Sequence, residues 1–152
     1  MKTVFTLLII IITINQGHAQ PNLRTKHFNL EQGVAIQGYD PVAYFTQKKA
    51  MAGNKKYATT VEGVTYYFSS AVNKDLFIVD YKKYEPQYGA WCAYAMGANN
   101  EKVEIDPETF KIINGKLYLF YHTWVNNTLT KWNEKETTLK ANADKNWQKI
   151  YH

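Results

Sequence analysis

Phe110-Lys-Ile-Ile-Asn-Gly-Lys-Leu-Tyr-Leu-Phe-Tyr121 is the stretch whose reading decides the fold. Two runs rich in β-branched and aromatic residues flank Asn114-Gly115. A two-residue type I′ turn demands positive φ at both central positions, and Asn and Gly meet that demand at least cost, so the segment predicts a β-hairpin. Working outward, the alternating run Tyr57 to Phe68, with Glu62-Gly63 at its centre, predicts a second hairpin. Ser69 or Ser70 then caps a helix in which Val72, Leu76, Phe77 and Ile78 recur at helical spacing. Gly38-Tyr-Asp-Pro41 reads as a turn, with Asp40 capping a short helix, Pro41 at its first position, and Val42 to Phe45 entering the core. Near the end of the chain, Leu139, Ala143, Trp147 and Ile150 form one apolar helical face. Residues 20–32 read as an irregular arm, Trp91 to Met96 as a buried strand leaving a turn, and Lys102 to Asp106 as another short strand. No repeat and no internal domain boundary is visible. The expected class is α+β: a small antiparallel sheet built from hairpins, with short helices and a C-terminal helical segment.

Residues 1–19 read as a signal peptide. Lys2 supplies the positive start, Val4 to Ile14 the apolar run, and Gly17-His-Ala19 the small-x-small cleavage pattern. The run is short for a bilayer span, which takes about 20 residues. Export from a bacterial cell to the periplasm or medium is expected, with no membrane attachment after cleavage. Residues 20–152 then make a single domain, long enough for a genuine core. Aromatics make up 15% of the chain, and the net charge is +5. The lysines are scattered among Asp and Glu without the basic stripe of a nucleic-acid binder, so no nucleic-acid partner is expected. The one cysteine, Cys92, excludes an internal disulfide.

Several segments, in order, resemble the exported YHS-domain proteins that carry a Gly-Tyr-Asp-Pro segment. They are Gly33 to Phe45, Gly63 to Ser70, Tyr84 to Ala95, Asp106-Pro107, the Asn114 to Tyr121 hairpin, and Ala143 to Trp147. The resemblance spans nearly the whole mature chain. It implies a YHS-like fold and, by analogy with shorter YHS domains found near heavy-metal transport proteins, binding of a soft metal such as copper or zinc through cysteines. Those cysteines belong to a Tyr-Tyr-Phe-Cys-x-x-x-Cys pattern whose matching positions here are Ser69 and Asn73, neither of which supplies a thiolate. Some longer relatives carry selenocysteine where this chain has Cys92. That exchange implies a position used for nucleophilic, redox or metal-ligating character.

Cys92 is therefore the central candidate, as nucleophile or as metal ligand, and Tyr39, Asp40, Tyr94 and His122 are the candidate lining of a ligand pocket around it. Its sequence neighbours are apolar or aromatic and give no cause for an activated thiolate. Asp40 is accounted for by capping, and His122 by a place at a strand end. A Cys92–His122 pair would be the usual means of activating the thiol. Tyr39, Tyr44, Tyr84, Tyr88, Tyr94, Tyr118 and Tyr121 are enough to line a groove, although such rings are more often core packing. Three functions follow: a binding module for a metal ion or small ligand near Cys92, a thiol redox protein that needs an outside thiol to resolve it, and a structural domain with Cys92 buried. The sequence leans away from an enzyme.

Overall fold

The computed structural model describes residues 22–151; the expected signal peptide and His152 lie outside the described residues. The chain runs α1 (Leu23–His27), β1 (Leu30–Glu31), β2 (Val34–Ala35), α2 (Ala43–Thr46), β3 (Asn54–Val61), β4 (Val64–Phe68), α3 (Ala71–Val79) and α4 (Tyr81–Tyr84). It continues through α5 (Ala93–Asn99), β5 (Asp106–Ile113), β6 (Lys116–Phe120), β7 (His122–Thr123), β8 (Asn126–Asn127), α6 (Thr128–Glu134) and α7 (Glu136–Tyr151). This is an α+β fold. Both expected hairpins form, with positive φ at Glu62 (47°) and Gly63 (81°), and at Asn114 (50°) and Gly115 (73°). β1, β2, β4 and β3 make one sheet, in which β2 and β4 pair in parallel; β5–β6 and β7–β8 stand as separate antiparallel pairs.

The two large hairpins belong to copies of one unit, 34–69 and 86–121, related by a constant spacing of 52 residues (Asp40 to Cys92, Phe68 to Phe120). Each unit opens with three consecutive residues in the left-handed region. These are Ile36, Gln37 and Gly38 at φ 53°, 51° and 82°, and Tyr88, Gly89 and Ala90 at φ 56°, 59° and 69°. The aromatic residue that follows donates its N–H back to the first of the three, Tyr39 to Ile36 (2.9 Å) and Trp91 to Tyr88 (3.1 Å). The next N–H donates across the unit, Asp40 to the Met51 carbonyl (2.8 Å) and Cys92 to the Val103 carbonyl (3.0 Å). Asn54 accepts from the Lys56 N–H as Asp106 accepts from the Glu108 N–H. The hairpin register shifts at Asn54/Ala58 and again at Asp106/Phe110. The parallel pairing of Val34 with Thr65 returns as Pro86 with Leu117.

The expectation of no repeat is thus corrected. Only Ala43/Ala95, Gly63/Gly115, Tyr66/Tyr118 and Phe68/Phe120 are identical across the units, so hydrogen bonds and φ angles preserve what side chains do not. Left-handed conformation outside glycine costs roughly 1–3 kcal/mol per residue; each unit carries two such residues, Ile36 and Gln37 in the first and Tyr88 and Ala90 in the second, and the recurrence of the whole triplet marks an over-determined backbone.

Four further expectations change. The arm over residues 20–32 contains α1, capped by Asn22, whose side chain accepts from the Arg24 N–H, and the strand β1. Trp91 to Met96 is not a strand: Cys92 stands at the start of α5 and its carbonyl accepts from the Met96 N–H (3.0 Å). The apolar run misled because small helix-forming residues, Ala93 and Ala95, are mixed into it. Residues 101–105 form no strand; β5 begins at Asp106. On α3, capped by Ser70 as expected, Phe77 alone among the four apolar positions is buried, while Val72, Leu76 and Ile78 are exposed.

The core has two parts. One, around Tyr44, Tyr66, Phe68 and Phe77, lies under the first hairpin; the other, around Tyr118, Phe120, Trp132 and Leu139, joins the second hairpin to α5, α6 and α7. A Cβ on Gly97 would stand 2.3 Å from the Leu139 carbonyl oxygen, so α5 and α7 cross at backbone contact.

Candidate functional site

In the first unit Asp40 is fully buried at the start of α2. Its Oδ1 accepts from the Val42 N–H (2.8 Å) and the Ala43 N–H (3.2 Å), so it ties down the entry to α2, but the helix begins at Ala43 with Val42 at its N-cap, not at Pro41 behind an Asp40 cap as expected. Its Oδ2 accepts from the Ser69 N–H (2.8 Å), the Ser69 hydroxyl (2.6 Å) and the Asn73 amide (2.7 Å). Ser69 and Asn73 therefore converge on one carboxylate, as donors. Five charge-assisted hydrogen bonds offset its desolvation and close the corner.

Cys92 takes the same place in the second unit, and the Tyr121 N–H approaches its Sγ at 3.2 Å, as the Ser69 N–H approaches Asp40. The sulfur is also 3.5 Å from Thr128 Oγ1, and that hydroxyl donates to the Tyr121 carbonyl at 2.6 Å. Since the Thr128 proton is committed there, the Cys92–Thr128 contact has the S–H donating. Cys92 is fully buried. Thr128 is the one side chain among the described residues that meets the sulfur, where Ser69 and Asn73 both meet Asp40. A cavity of about 170 Å³ opens beside it, lined by Cys92, Tyr94, Glu101, Tyr121, Asn126 and Thr128 among others. Asn126 Oδ1 is withdrawn from solvent and has no hydrogen-bond partner among the described residues.

Of the four residues expected to line a pocket with Cys92, only Tyr94 does so. Asp40 belongs to the other unit. Tyr39 packs against the first core and bridges to Ala52. His122 is exposed on β7 and its Nδ1 lies 3.1 Å from Asp106 Oδ2 rather than at the thiol. Burial works to raise the Asp106 carboxyl, but hydrogen bonds from the Glu108 N–H and the Thr109 hydroxyl, with His122 beside it, outweigh burial and hold it below its ordinary value. The seven tyrosines do not share one groove: Tyr44, Tyr84, Tyr88 and Tyr118 are core residues, and only Tyr94 and Tyr121 line the cavity beside Cys92. The Tyr88 phenol, buried and donating to Asp144 (2.8 Å), is pushed well up. Asn126, Thr128 and Glu101 escaped the sequence reading because β7–β8 and the loop after α5 bring them to Cys92 only in three dimensions.

The wall does not suit a soft metal. Zinc takes four donors and copper(I) favours sulfur. Cys92 is the chain's one cysteine, no second sulfur lines the cavity, and no group of three or more His, Cys, Asp or Glu suited to a metal occurs among the described residues.

A larger cavity, about 360 Å³, lies where α1, α4 and α7 meet. Its charged centre is already engaged. Arg24 pairs with Glu85, lies 3.3 Å from Glu62, and stacks over Phe28 (4.7 Å) and Tyr81 (5.4 Å). Burial opposes the Arg24 charge, and the Glu85 carboxylate more than restores it.

No family model matches the chain, and no curated protein or solved structure matches it. No helix among the described residues is long and apolar enough to cross a membrane.

Proposed function

We propose that the chain is an exported, YHS-like binding module that holds a small ligand in the cavity beside Cys92. One observation carries this reading: Cys92 and Asn126 line the same cavity, and the Asn126 amide oxygen is buried without a hydrogen-bond partner among the described residues. Buried polar groups in folded proteins are nearly always paired, so an orphaned acceptor at a cavity wall asks for a partner that enters the cavity. The resemblance over Gly33 to Phe45 and Tyr84 to Ala95 supports the YHS-like reading, and Lys2 to Ala19 supports export. A module of this kind needs no metal and no resolving thiol.

The second reading, a structural cysteine, draws on the complete burial of Cys92. Thiol labelling separates the two. The mature protein is treated with methyl methanethiosulfonate, which is small, and with a bulky aromatic disulfide, at increasing urea below the unfolding transition. The binding module predicts that the small reagent labels Cys92 at a rate nearly independent of urea, because local opening of the cavity admits it, while the bulky reagent waits for unfolding. If both reagents react only in step with global unfolding, the cavity is sealed and the structural reading replaces ours.

A further inference from the structure

The two matched units extend one helix further. Phe77 of α3 packs its ring on Tyr66 (4.6 Å) and Phe68 (5.1 Å). Trp132 of α6 packs its ring on Tyr118 (5.9 Å) and Phe120 (5.4 Å), the matching residues of the second unit. One turn earlier, the Asn73 amide meets Asp40 (2.7 Å) and the Thr128 hydroxyl meets Cys92 (3.5 Å). α3 and α6 are therefore equivalent helices, in register at Phe77 and Trp132. Their outer faces differ. On α3, Leu76, Ile78 and Val79 are exposed by 39%, 52% and 86%, and Val72, a turn earlier, by 67%. The positions of α6 that match Leu76, Ile78 and Val79 hold Lys131, Asn133 and Glu134, all exposed and all polar. A solvated helix face calls for polar residues, and α6 shows that the fold accepts them here. The aliphatic face of α3 therefore answers to something other than the folding of its own chain.

We infer that α3 is a self-association surface, on which a second copy of this chain lays its own α3 antiparallel across a twofold axis. Val72, Leu76 and Val79 fall four and three apart and so form one stripe, the arrangement that lets two helices interlock. A twofold contact uses the same patch on both copies. Charge sets the direction. Asp75 flanks the stripe and Lys82 follows it on α4, and neither belongs to an ion pair among the described residues. With Leu76 against the partner's Val79, Lys82 of each copy comes within reach of the partner's Asp75, whereas parallel pairing sets Asp75 against itself. Four aliphatic side chains make a patch of a few hundred Å². That falls short of the roughly 800 Å² per partner of a stable interface, so the dimer is weak and dissociates on dilution. The surface stands apart from the cavity beside Cys92 and does not depend on that cavity holding a ligand.

The test is sedimentation velocity of the mature protein from micromolar to millimolar concentration. The inference predicts an average mass that climbs towards that of a dimer. It predicts association weaker by roughly tenfold or more when Leu76→Lys and Val79→Glu are combined, the residues α6 carries at these places. Asp75→Lys should also weaken association, and Lys82→Asp added to it should restore the dimer, a rescue that a purely apolar contact would not show. A protein that stays monomeric over the whole range overturns the inference. So does a dimer indifferent to the Leu76 and Val79 changes, which would place the contact elsewhere. Absence of the charge rescue would overturn the antiparallel pairing. Monomeric protein that floats with phosphatidylglycerol vesicles, and ceases to when Leu76→Lys and Val79→Glu are combined, would overturn it in favour of a lipid surface.

Discussion

Removing the Asp40 side chain strands five donors, the N–H groups of Val42, Ala43 and Ser69 and the side chains of Ser69 and Asn73. Leaving a buried donor without its acceptor costs about 1–3 kcal/mol, so Asp40→Ala, which strands several at once, should lose about 3 kcal/mol or more in urea unfolding at neutral pH. A loss below about 1 kcal/mol would mean that the corner is wet or mobile. The same logic runs the other way at Cys92. Its place in the second unit corresponds to a carboxylate's place in the first, with the Tyr121 N–H already directed at it. Cys92→Asp should therefore fold, whereas a carboxylate put into a dry apolar site would not be tolerated. Circular dichroism and a cooperative melt check this, and a molten or insoluble variant contradicts the correspondence. At this scale the sequence was partly legible. Asp40 before Pro41 announces the entry to a helix, and Cys92 stands out as the only thiol. Asn126 and Thr128 announce nothing, because their role depends on a hairpin that returns them to Cys92.

Hairpin turns were the most legible elements, since Glu62-Gly63 and Asn114-Gly115 carry positive φ that few other pairs accept. The helix over 93–99 was not legible, because a short apolar segment fits a buried strand as well as a buried helix. What settles it is tertiary: Gly97 lets α5 lie on α7, with the Leu139 backbone where a Cβ would be. Gly97→Ala should push the helices apart and cost about 2 kcal/mol or more, measured by thermal unfolding, and an unchanged midpoint would place the crossing elsewhere. Trp124, at the tip between β7 and β8, is fully exposed. Trp124→Ala should alter stability by less than about 0.5 kcal/mol, and a larger loss would show that the tip packs against something.

Over the whole molecule, pH stability should carry the mark of Asp106, the residue that matches Asn54 in the first unit. Its carboxyl lies below the ordinary value of 3.8 in the folded chain. Ionisation therefore favours folding: the contribution is complete above the unfolded value and disappears as pH falls through the lower folded one. The urea midpoint of wild type should fall more steeply below about pH 4 than that of Asp106→Asn, and parallel curves would remove Asp106 from the account. The duplication itself could not be read from residues, because four identities across two units are too few to notice. It survives in backbone geometry, in which Ile36 and Tyr88, or Asp40 and Cys92, do the same work with different chemistry.

The central claim is that the second unit leaves open, beside Cys92, a place the first unit fills. A high-resolution crystal structure of the mature protein tests it most directly. The account predicts an open cavity bordered by Cys92 and Asn126, with Asn126 Oδ1 unpaired by any side chain of the described residues. A cavity closed by the chain's own side chains, with Asn126 Oδ1 paired internally, would contradict it.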